Sequence, residues 1–326
     1  MELVQLAATA YQLRGGSNAG LIVHDGRAVL VDTGLDRDTA KKILRHIEGL
    51  KITLTAVVIT HAHADHCGGA ATIRGRTGVP VYAPALEADV VANPIWESLY
   101  LYSGALPPAE LRHKFTLAEA CPVAGLIEAG DLVLGGVPVR ILPAPGHAPN
   151  QMMVAGGGVC FVADACFAPD VLHKHGIPFY ADIDQTRASL EALAALDGAY
   201  AAFVPGHGPA VAQIAPWAAE NAARIAEIRD AVAGALAQAG EVGPLVQIVA
   251  DRLGVAIPNP VIYWLTQTTV LACLASLQRA GRAGVRVVDN ALVWGSEAGC
   301  EKLVVGQKLV VGLPVSSFQS PASESV

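Results

Sequence analysis

Three histidines and one aspartate stand within six residues of one another, in the segment His61-Ala-His63-Ala-Asp65-His66. They follow residues 54–60, which are apolar and rich in β-branched side chains and so predict a short buried strand. The turn after such a strand can direct neighbouring side chains toward one ion or two adjacent ions. Neutral imidazole and carboxylate are ligands for zinc, and also for iron or manganese. This segment therefore predicts a metal site.

Three later residues of ligand type also follow predicted strands. His147 and His207 each stand in a Pro-Gly-His sequence, and Asp164 directly follows the apolar residues 159–163. α/β proteins place their sites at the carboxyl ends of strands, and a glycine beside a ligand lets the backbone approach closely. We therefore expect His147, Asp164 and His207 to join the first four residues in one site.

Strands and helices alternate around these motifs, an order that is typical of an α/β fold. The predicted strands cover residues 1–10, 19–25, 27–32, 54–60, 79–83, 132–134, 137–142, 151–155, 159–163 and 200–204. The predicted helices cover residues 38–49, the stretch from the metal motif to about 76, and residues 184–195 and 215–239. The first of these helices has Asp36 or Asp38 as its N-cap.

Residues 84–122 interrupt this alternation with apolar helical pieces and two proline-containing turns. Much of the chain's small aromatic content lies here, in Trp96, Tyr100, Tyr102 and Phe115. An insertion of this kind could form a lid over the site, or it could be an additional helical hairpin packed on the surface. The sequence leaves both interpretations open.

The pattern changes again over residues 241–297, which predict two helices and a β-ribbon and so resemble a winged helix. The helices are predicted at 244–253 and 266–280, and the strands of the ribbon at 285–288 and 291–294. The second helix carries almost no positive charge, so it suits a nucleic-acid groove poorly. We expect this region to pack against the catalytic part and to help wall its cleft.

These features predict three parts of the chain. Residues 1–212 form the catalytic domain with the helical insertion 84–122, residues 213–300 form the helical, winged-helix-like domain, and residues 301–326 form a tail. The end of the tail is rich in serine and proline, which predicts a frayed terminus.

Taken together, the motifs between residues 32 and 207 resemble those of the metallo-β-lactamase superfamily, an αββα sandwich with a dinuclear metal site. The resemblance implies ligands for two divalent ions: His61, His63 and His147 for the first, and Asp65, His66 and His207 for the second. Asp164 would bridge the ions, and Asp32, in Val-Asp-Thr-Gly, would orient the ligands. Zinc is the expected metal, with iron or manganese as alternatives.

The resemblance also implies a reaction, namely hydrolysis of an ester, thioester or phosphodiester bond. A hydroxide that bridges the two ions near the catalytic carboxylates Asp65 and Asp164 would attack the substrate. Position in the sequence nominates four side chains that could contact the substrate or give a proton to the leaving group: His173, His175, Tyr180 and Tyr100. The histidines are expected in a loop near the mouth of the site.

Several branches of the superfamily remain open, and the glyoxalase-II-like branch with a C-terminal winged-helix-like domain resembles this chain most. β-Lactamases of this fold usually lack a carboxylate at the position of Asp164. Lactonases often have a tyrosine where this chain has Phe167, which weakens that alternative, and a ribonuclease-type phosphodiesterase is another. Flavodiiron oxidoreductases carry glutamate where His63 stands. A ligand sensor without enzymatic activity is the remaining class.

The composition of the chain indicates which classes of partner it can bind. The net charge is −7, which argues against a general nucleic-acid surface, although a local anion site remains compatible with it. We therefore expect a small-molecule substrate and disfavour nucleic acid. The N-terminal residues lack a signal-peptide pattern, and no apolar run predicts a membrane span, so a cytoplasmic protein without membrane contact is expected. A homodimer is compatible with the sequence.

Overall fold

Two β-sheets face each other at the centre of the chain in the computed structural model, which describes residues 1–296. The first sheet has seven strands in chain order: β1 Glu2–Ala7, β2 Ala10–Arg14, β3 Ala19–His24, β4 Arg27–Val31, β5 Thr53–Val58, β6 Val81–Pro84 and β7 Gly125–Ile127. Strands β1 to β4 pair in antiparallel fashion, whereas β4 to β7 are parallel. Parallel neighbours require crossover connections, and helices supply these for β4 to β5 and β5 to β6.

The second sheet has five strands in the order β12, β11, β10, β9, β8. Their bounds are β8 Gly130–Leu134, β9 Val137–Pro143, β10 Met152–Gly156, β11 Val159–Ala163 and β12 Ala202–Pro205. Only β11 and β12 are parallel among these pairs. Alternate residues of both sheets meet in one apolar layer, in which Ile22 and Val58 of the first sheet share a cluster with Ile141 and Val154 of the second.

Helices cover the outer faces of both sheets. On the first sheet and in the insertion they are α1 Arg37–Leu50, α2 Ala64–Cys67, α3 Ala70–Thr77, α4 Glu87–Ala92 and α5 Ile95–Leu101, followed by a 3₁₀ turn at Ala109–Leu111. On the second sheet they are α6 Pro169–His175, α7 Ile183–Ala194, α8 Ala215–Ala235, α9 Val242–Arg252 and α10 Pro260–Arg279. The order of helix, sheet, sheet and helix confirms the predicted αββα sandwich.

Local sequence explains where several of these elements begin. Asp36 is the N-cap of α1, because its carboxylate accepts a hydrogen bond from the Thr39 amide at 3.0 Å. Helix α10 begins six residues earlier than predicted, since Asn259 caps it through the Ile262 amide at 3.1 Å and Pro260 suits the first helical position.

The structure differs from the predicted elements at three places within residues 1–212. Residues 1–10 contain a turn, so that β1 ends at Ala7 and a separate strand β2 begins at Ala10. The three-residue strand β7 was not predicted. The segment that carries His173 and His175 was expected as a loop and is helix α6, whose first residue is Pro169.

The C-terminal region contains the predicted elements, namely α9, α10 and the antiparallel ribbon of β13 Ala283–Val288 and β14 Ala291–Ser296. Helix α10 packs against α7, α8 and α9, and one continuous apolar cluster joins these helices to the second sheet. The boundary at 212, the winged-helix relationship and the domain end at 300 stay predictions. Residues 297–300 and the predicted tail 301–326 lie outside the described residues.

Helix α10 corrects the expectation that no segment is apolar enough for a membrane span. Among the described residues, Pro260–Arg279 is the one helix whose length and mean hydropathy of 1.3 suffice for crossing. Buried core helices pass the same test, and 44% of its apolar window is buried here. Its buried residues, which include Val270, Leu274 and Leu277, contribute to the cluster shared with the second sheet.

Candidate metal centre

Seven side chains of ligand type converge where strands of both sheets end. They are His61, His63, Asp65, His66, His147, Asp164 and His207, the seven residues that the motifs predict. Their ligand atoms form three groups, and within each group all ligand atoms lie within 4.8 Å of one another. The sandwich brings them together because the segment after β5 and the segments after β9, β11 and β12 open on the same edge.

The first group is His61, His63 and His147. Nε2 of His147 lies 2.9 Å from Nδ1 of His63, while Nδ1 of His147 is 2.9 Å from the Phe179 carbonyl oxygen. That carbonyl can only accept, so Nδ1 of His147 carries the proton and Nε2 is free to bind an ion. His61 is fully buried, and its Nε2 has no hydrogen-bond partner within residues 1–296.

The second group is Asp65, His66 and His207. Nε2 of His207 lies 3.2 Å from Oδ2 of Asp65, and its Nδ1 lies 2.7 Å from the Gly16 carbonyl oxygen. His66 is fully buried, and its Nε2 lacks a hydrogen-bond partner in the part of the chain that the structure describes. Both imidazoles therefore direct Nε2 into the site and use Nδ1 as a fixed donor.

Asp164 lies between the two groups. Its Oδ1 is 3.4 Å from Nε2 of His66, and its Oδ2 is 3.4 Å from Nε2 of His147 and 3.6 Å from Nε2 of His207. The carboxylate of Asp164 packs against the backbone at Gly206, and a larger residue does not fit there because its Cβ would lie 1.9 Å from Oδ1 of Asp164. One carboxylate thus faces ligands of both groups.

Asp32 contacts the second group through Nδ1 of His66, the ring nitrogen that does not face the site. It follows β4 with a φ of 59°, in the left-handed region that aspartate tolerates better than most residues. Its carboxylate accepts hydrogen bonds from the amide and hydroxyl of Thr60, both at 2.8 Å, and lies 2.9 Å from Nδ1 of His66. These contacts fix the ring of His66 with Nε2 pointing into the site.

The two groups differ in protonation. Burial lowers the pKa of His61 and His147 and lowers that of His63 to about 3, so these imidazoles are neutral, as metal ligands must be. Burial also acts to lower the pKa of His66 and His207. The Asp65 and Asp164 carboxylates outweigh it, which raises the pKa of His66 and brings that of His207 to about 10.

The residues fit divalent ions. Among the described residues, Nε2 of His61 is buried without a hydrogen-bond partner, a state that costs about 1–3 kcal/mol. Nε2 of His66 and Oδ1 of Asp164 face each other at 3.4 Å without a regular hydrogen bond. Coordination would satisfy all three atoms. A set of five imidazoles and two carboxylates suits zinc, iron or manganese.

A cavity of about 610 Å³ opens above these ligands. Of the four side chains nominated as substrate contacts or proton donors, Tyr100 and His175 line it. His173 does not, because it is exposed on the outer side of α6 and pairs with Glu220 at 3.0 Å. Tyr180 is 1% exposed and packs against Phe167 with its hydroxyl buried, so it is no cavity donor. The structure thus brings two of the four to the cavity.

Two buried glutamates of the insertion contact the metal-binding segment, and the motifs did not indicate them. Glu87 accepts hydrogen bonds from the amides of Ala62 and Asn150, both at 2.9 Å. The carboxyl of Glu97 accepts one from the Ala64 amide. The only signal in the sequence is an acidic residue within otherwise apolar helical pieces.

Comparison with known proteins agrees with this geometry. The model of the metallo-beta-lactamase superfamily matches residues 13–207. An uncharacterized protein of Aquifex aeolicus is 30% identical over 127 residues, which cover 38% of this chain and 52% of that protein. The probable metallo-hydrolase YqgX of Bacillus subtilis is 30% identical over 165 residues, 49% of this chain and 68% of that protein. The hydroxyacylglutathione hydrolase of Xanthomonas campestris pv. campestris is 30% identical over 149 residues, 45% of each chain.

The matches thus span about half the length of most of these relatives, whereas solved structures match the fold more fully. A metallo-beta-lactamase family protein from Thermus thermophilus has a TM-score of 0.68 at 20% identity, covering 90% of this chain and 100% of the other. A beta-lactamase domain protein from Burkholderia ambifaria has a TM-score of 0.68 at 19% identity, covering 90% and 93%. At these identities the two structures establish the fold alone. On its family match and its fold, the chain belongs to the metallo-β-lactamase superfamily.

Proposed function

We propose that this protein is a hydrolase that holds two divalent metal ions, most suitably zinc, and cleaves an ester or thioester bond in a small molecule. One observation carries the proposal: two groups of ligands face the same carboxylate, Asp164, at the floor of a cavity of about 610 Å³. A single ion needs only one such group, so the second supports a dinuclear site.

The residues divide the work as follows. His61, His63 and His147 would hold one ion, and Asp65, His66 and His207 would hold the other, with Asp164 between them. Bound divalent ions would lower the pKa of a water molecule to about 7 and polarise the oxygen of the bond that is cleaved.

The reaction also requires that the attacking water is oriented and that the leaving group receives a proton. Asp65 and Asp164 line the cavity, where their carboxylates can accept a hydrogen bond from the attacking water and orient it. His175 and Tyr100 also line the cavity and can give a proton to the leaving group.

The walls of the cavity favour an acyl compound over a nucleic acid. Within the described residues, no lysine or arginine lines it, although phosphodiester backbones are bound through such cations. The relatives named as hydroxyacylglutathione hydrolases support a thioester or ester substrate, because an acylglutathione is a thioester. The ribonuclease-type alternative loses support from the same absence of cations.

The test is hydrolysis by the full chain loaded with Zn²⁺ or Mn²⁺. Carboxylic esters, thioesters and a phosphodiester with chromogenic leaving groups are compared, and Asp164→Asn serves as the variant that removes the shared ligand. We expect turnover of esters or thioesters that depends on metal and falls at least about a hundredfold in the variant. Turnover of the phosphodiester alone, or equal turnover in the variant, contradicts the proposal.

A stoichiometric metal content without turnover of any substrate would favour the sensor. Retained iron with oxygen consumption would favour the oxidoreductase.

A further inference from the structure

The cavity above the metal centre is largely aromatic and apolar. Four rings line it, those of Tyr100, Phe115, Phe167 and Phe179. The first two turns of α10 contribute Val261, Ile262 and Leu265 to its walls. The insertion also contacts α10 directly, because the rings of Tyr102 and Trp264 stand edge to face at 5.5 Å. The cavity therefore suits the apolar body of a small molecule.

Acidic side chains outnumber lysine and arginine on the described walls of the cavity. Besides the metal ligands Asp65 and Asp164, two carboxyl groups line the cavity, those of Glu97 and Glu110. None of the described residues that line it is a lysine or an arginine. Two bound dications would offset the ligand carboxylates, but Glu97 and Glu110 lie outside the ligand groups and have no described lysine or arginine beside them in the cavity.

Of these two carboxyl groups, that of Glu97 gives the stronger indication of a ligand. It lies on the same face of α5 as Tyr100 and Leu101, three and four residues further on, and all three line the cavity. Glu97 is 5% exposed, and its Oε2 has no hydrogen-bond partner among the described residues. Burial raises the pKa of Glu97, and the negative charge of Asp65 adds to this rise, so the carboxyl group favours its neutral form until a cation beside it stabilises the carboxylate. A buried carboxyl group with one oxygen that lacks a hydrogen-bond partner destabilises the folded protein unless a bound ligand supplies that partner.

We propose that the cavity selects a substrate whose apolar body carries an ammonium group, with Glu97 as its ion-pair partner and the aromatic rings around it. A bound cation is stabilised by a neighbouring carboxylate and by the faces of aromatic rings. Both interactions are stronger where water is excluded. An anionic group would be repelled by the exposed Glu110 and would not stabilise the carboxylate form of Glu97. The inference rests on the proposed function only in calling the bound molecule a substrate.

Binding measurements with compounds that cannot be hydrolysed test the inference independently of catalysis. Titration calorimetry on the zinc-loaded protein at neutral pH compares 2-phenylethylammonium with 2-phenylethanol, which have the same apolar body. We expect the ammonium to bind about tenfold more tightly than the alcohol. Glu97→Gln should abolish this preference while it keeps an acceptor for the Ala64 amide. Glu119→Gln, an exposed position in the same insertion, should retain it.

The outcomes separate this inference from the proposed function. Equal affinities for the two probes in the parent protein, or an unchanged preference in Glu97→Gln, overturn the inference. If Glu97→Gln does not fold, Glu110→Gln provides the second variant, and it should reduce the preference. Where esters are hydrolysed, the kcat/KM of an aminoalkyl ester should exceed that of its uncharged analogue. Hydrolysis without this preference would refute the inference alone, and a binding preference without hydrolysis would refute the proposed function alone.

Discussion

Glu87 offers the sharpest mutational test of how the metal centre is assembled. Its two carboxylate oxygens accept hydrogen bonds from the Ala62 and Asn150 amides at 2.9 Å, and the side chain is 3% exposed. Ala62 stands between the ligands His61 and His63, and Asn150 closely follows His147. The carboxylate thus ties together the two segments that carry the first ligand group.

Glu87→Gln replaces one acceptor oxygen by an NH₂ group that then faces a backbone N–H. One buried hydrogen bond to a charged group is lost, which costs about 1.5–3 kcal/mol of the free energy of unfolding. Loss of such an orienting contact lowers metal affinity about 10- to 100-fold. We expect this loss at the first ion, because the two hydrogen bonds of the Glu87 carboxylate go to the segments that carry His61, His63 and His147.

The assay is competition for zinc against a chromogenic chelator, combined with denaturant unfolding of the metal-free protein. Asp89→Asn is the matched control, because Asp89 is an exposed acid on the same helix α4. Glu87→Gln should weaken one of two binding steps, and the control should weaken neither. Equal affinities for both ions in Glu87→Gln and the parent protein would refute the idea that this carboxylate positions the first group.

Three further outcomes concern the second ion. Asp32→Asn removes the carboxylate that orients His66, so the purified protein should hold one ion fewer by elemental analysis; two retained ions would contradict this. Gly206→Ala places a Cβ 1.9 Å from Oδ1 of Asp164 and should also cost one ion with an unchanged circular dichroism spectrum. Because the pKa of His207 is about 10 and that of His66 is raised, both are protonated in the metal-free protein at neutral pH and must release these protons on binding. Calorimetry in buffers of different ionisation enthalpy should show this release for the second ion and little for the first.

The ligands could be predicted because each follows a recognisable strand and stands in a short motif. His61, His63 and Asp65 are close in sequence, and the ends of strands within a sandwich bring His147 and His207 to them. No comparable signal exists for Glu87 and Glu97. They act through the backbone amides of Ala62, Ala64 and Asn150, and no residue pattern predicts which amide a distant side chain contacts.

The placement of the four nominated side chains depends on tertiary packing in the same way. His173 and His175 are two residues apart, and only the orientation of α6 decides that the second lines the cavity while the first pairs with Glu220. Tyr180 follows Phe179 directly, yet Phe179 lines the cavity and Tyr180 is buried in the core. Such choices depend on tertiary packing, which a single sequence does not encode in a local pattern.

The most direct test of the dinuclear site is a crystal structure of the zinc-loaded protein with anomalous differences measured at the zinc edge. We predict two peaks, one about 2.0–2.1 Å from nitrogens of His61, His63 and His147, and one at the same distance from nitrogens of His66 and His207. Asp164 should contact both ions. A single peak, or two peaks away from these side chains, would contradict the dinuclear site.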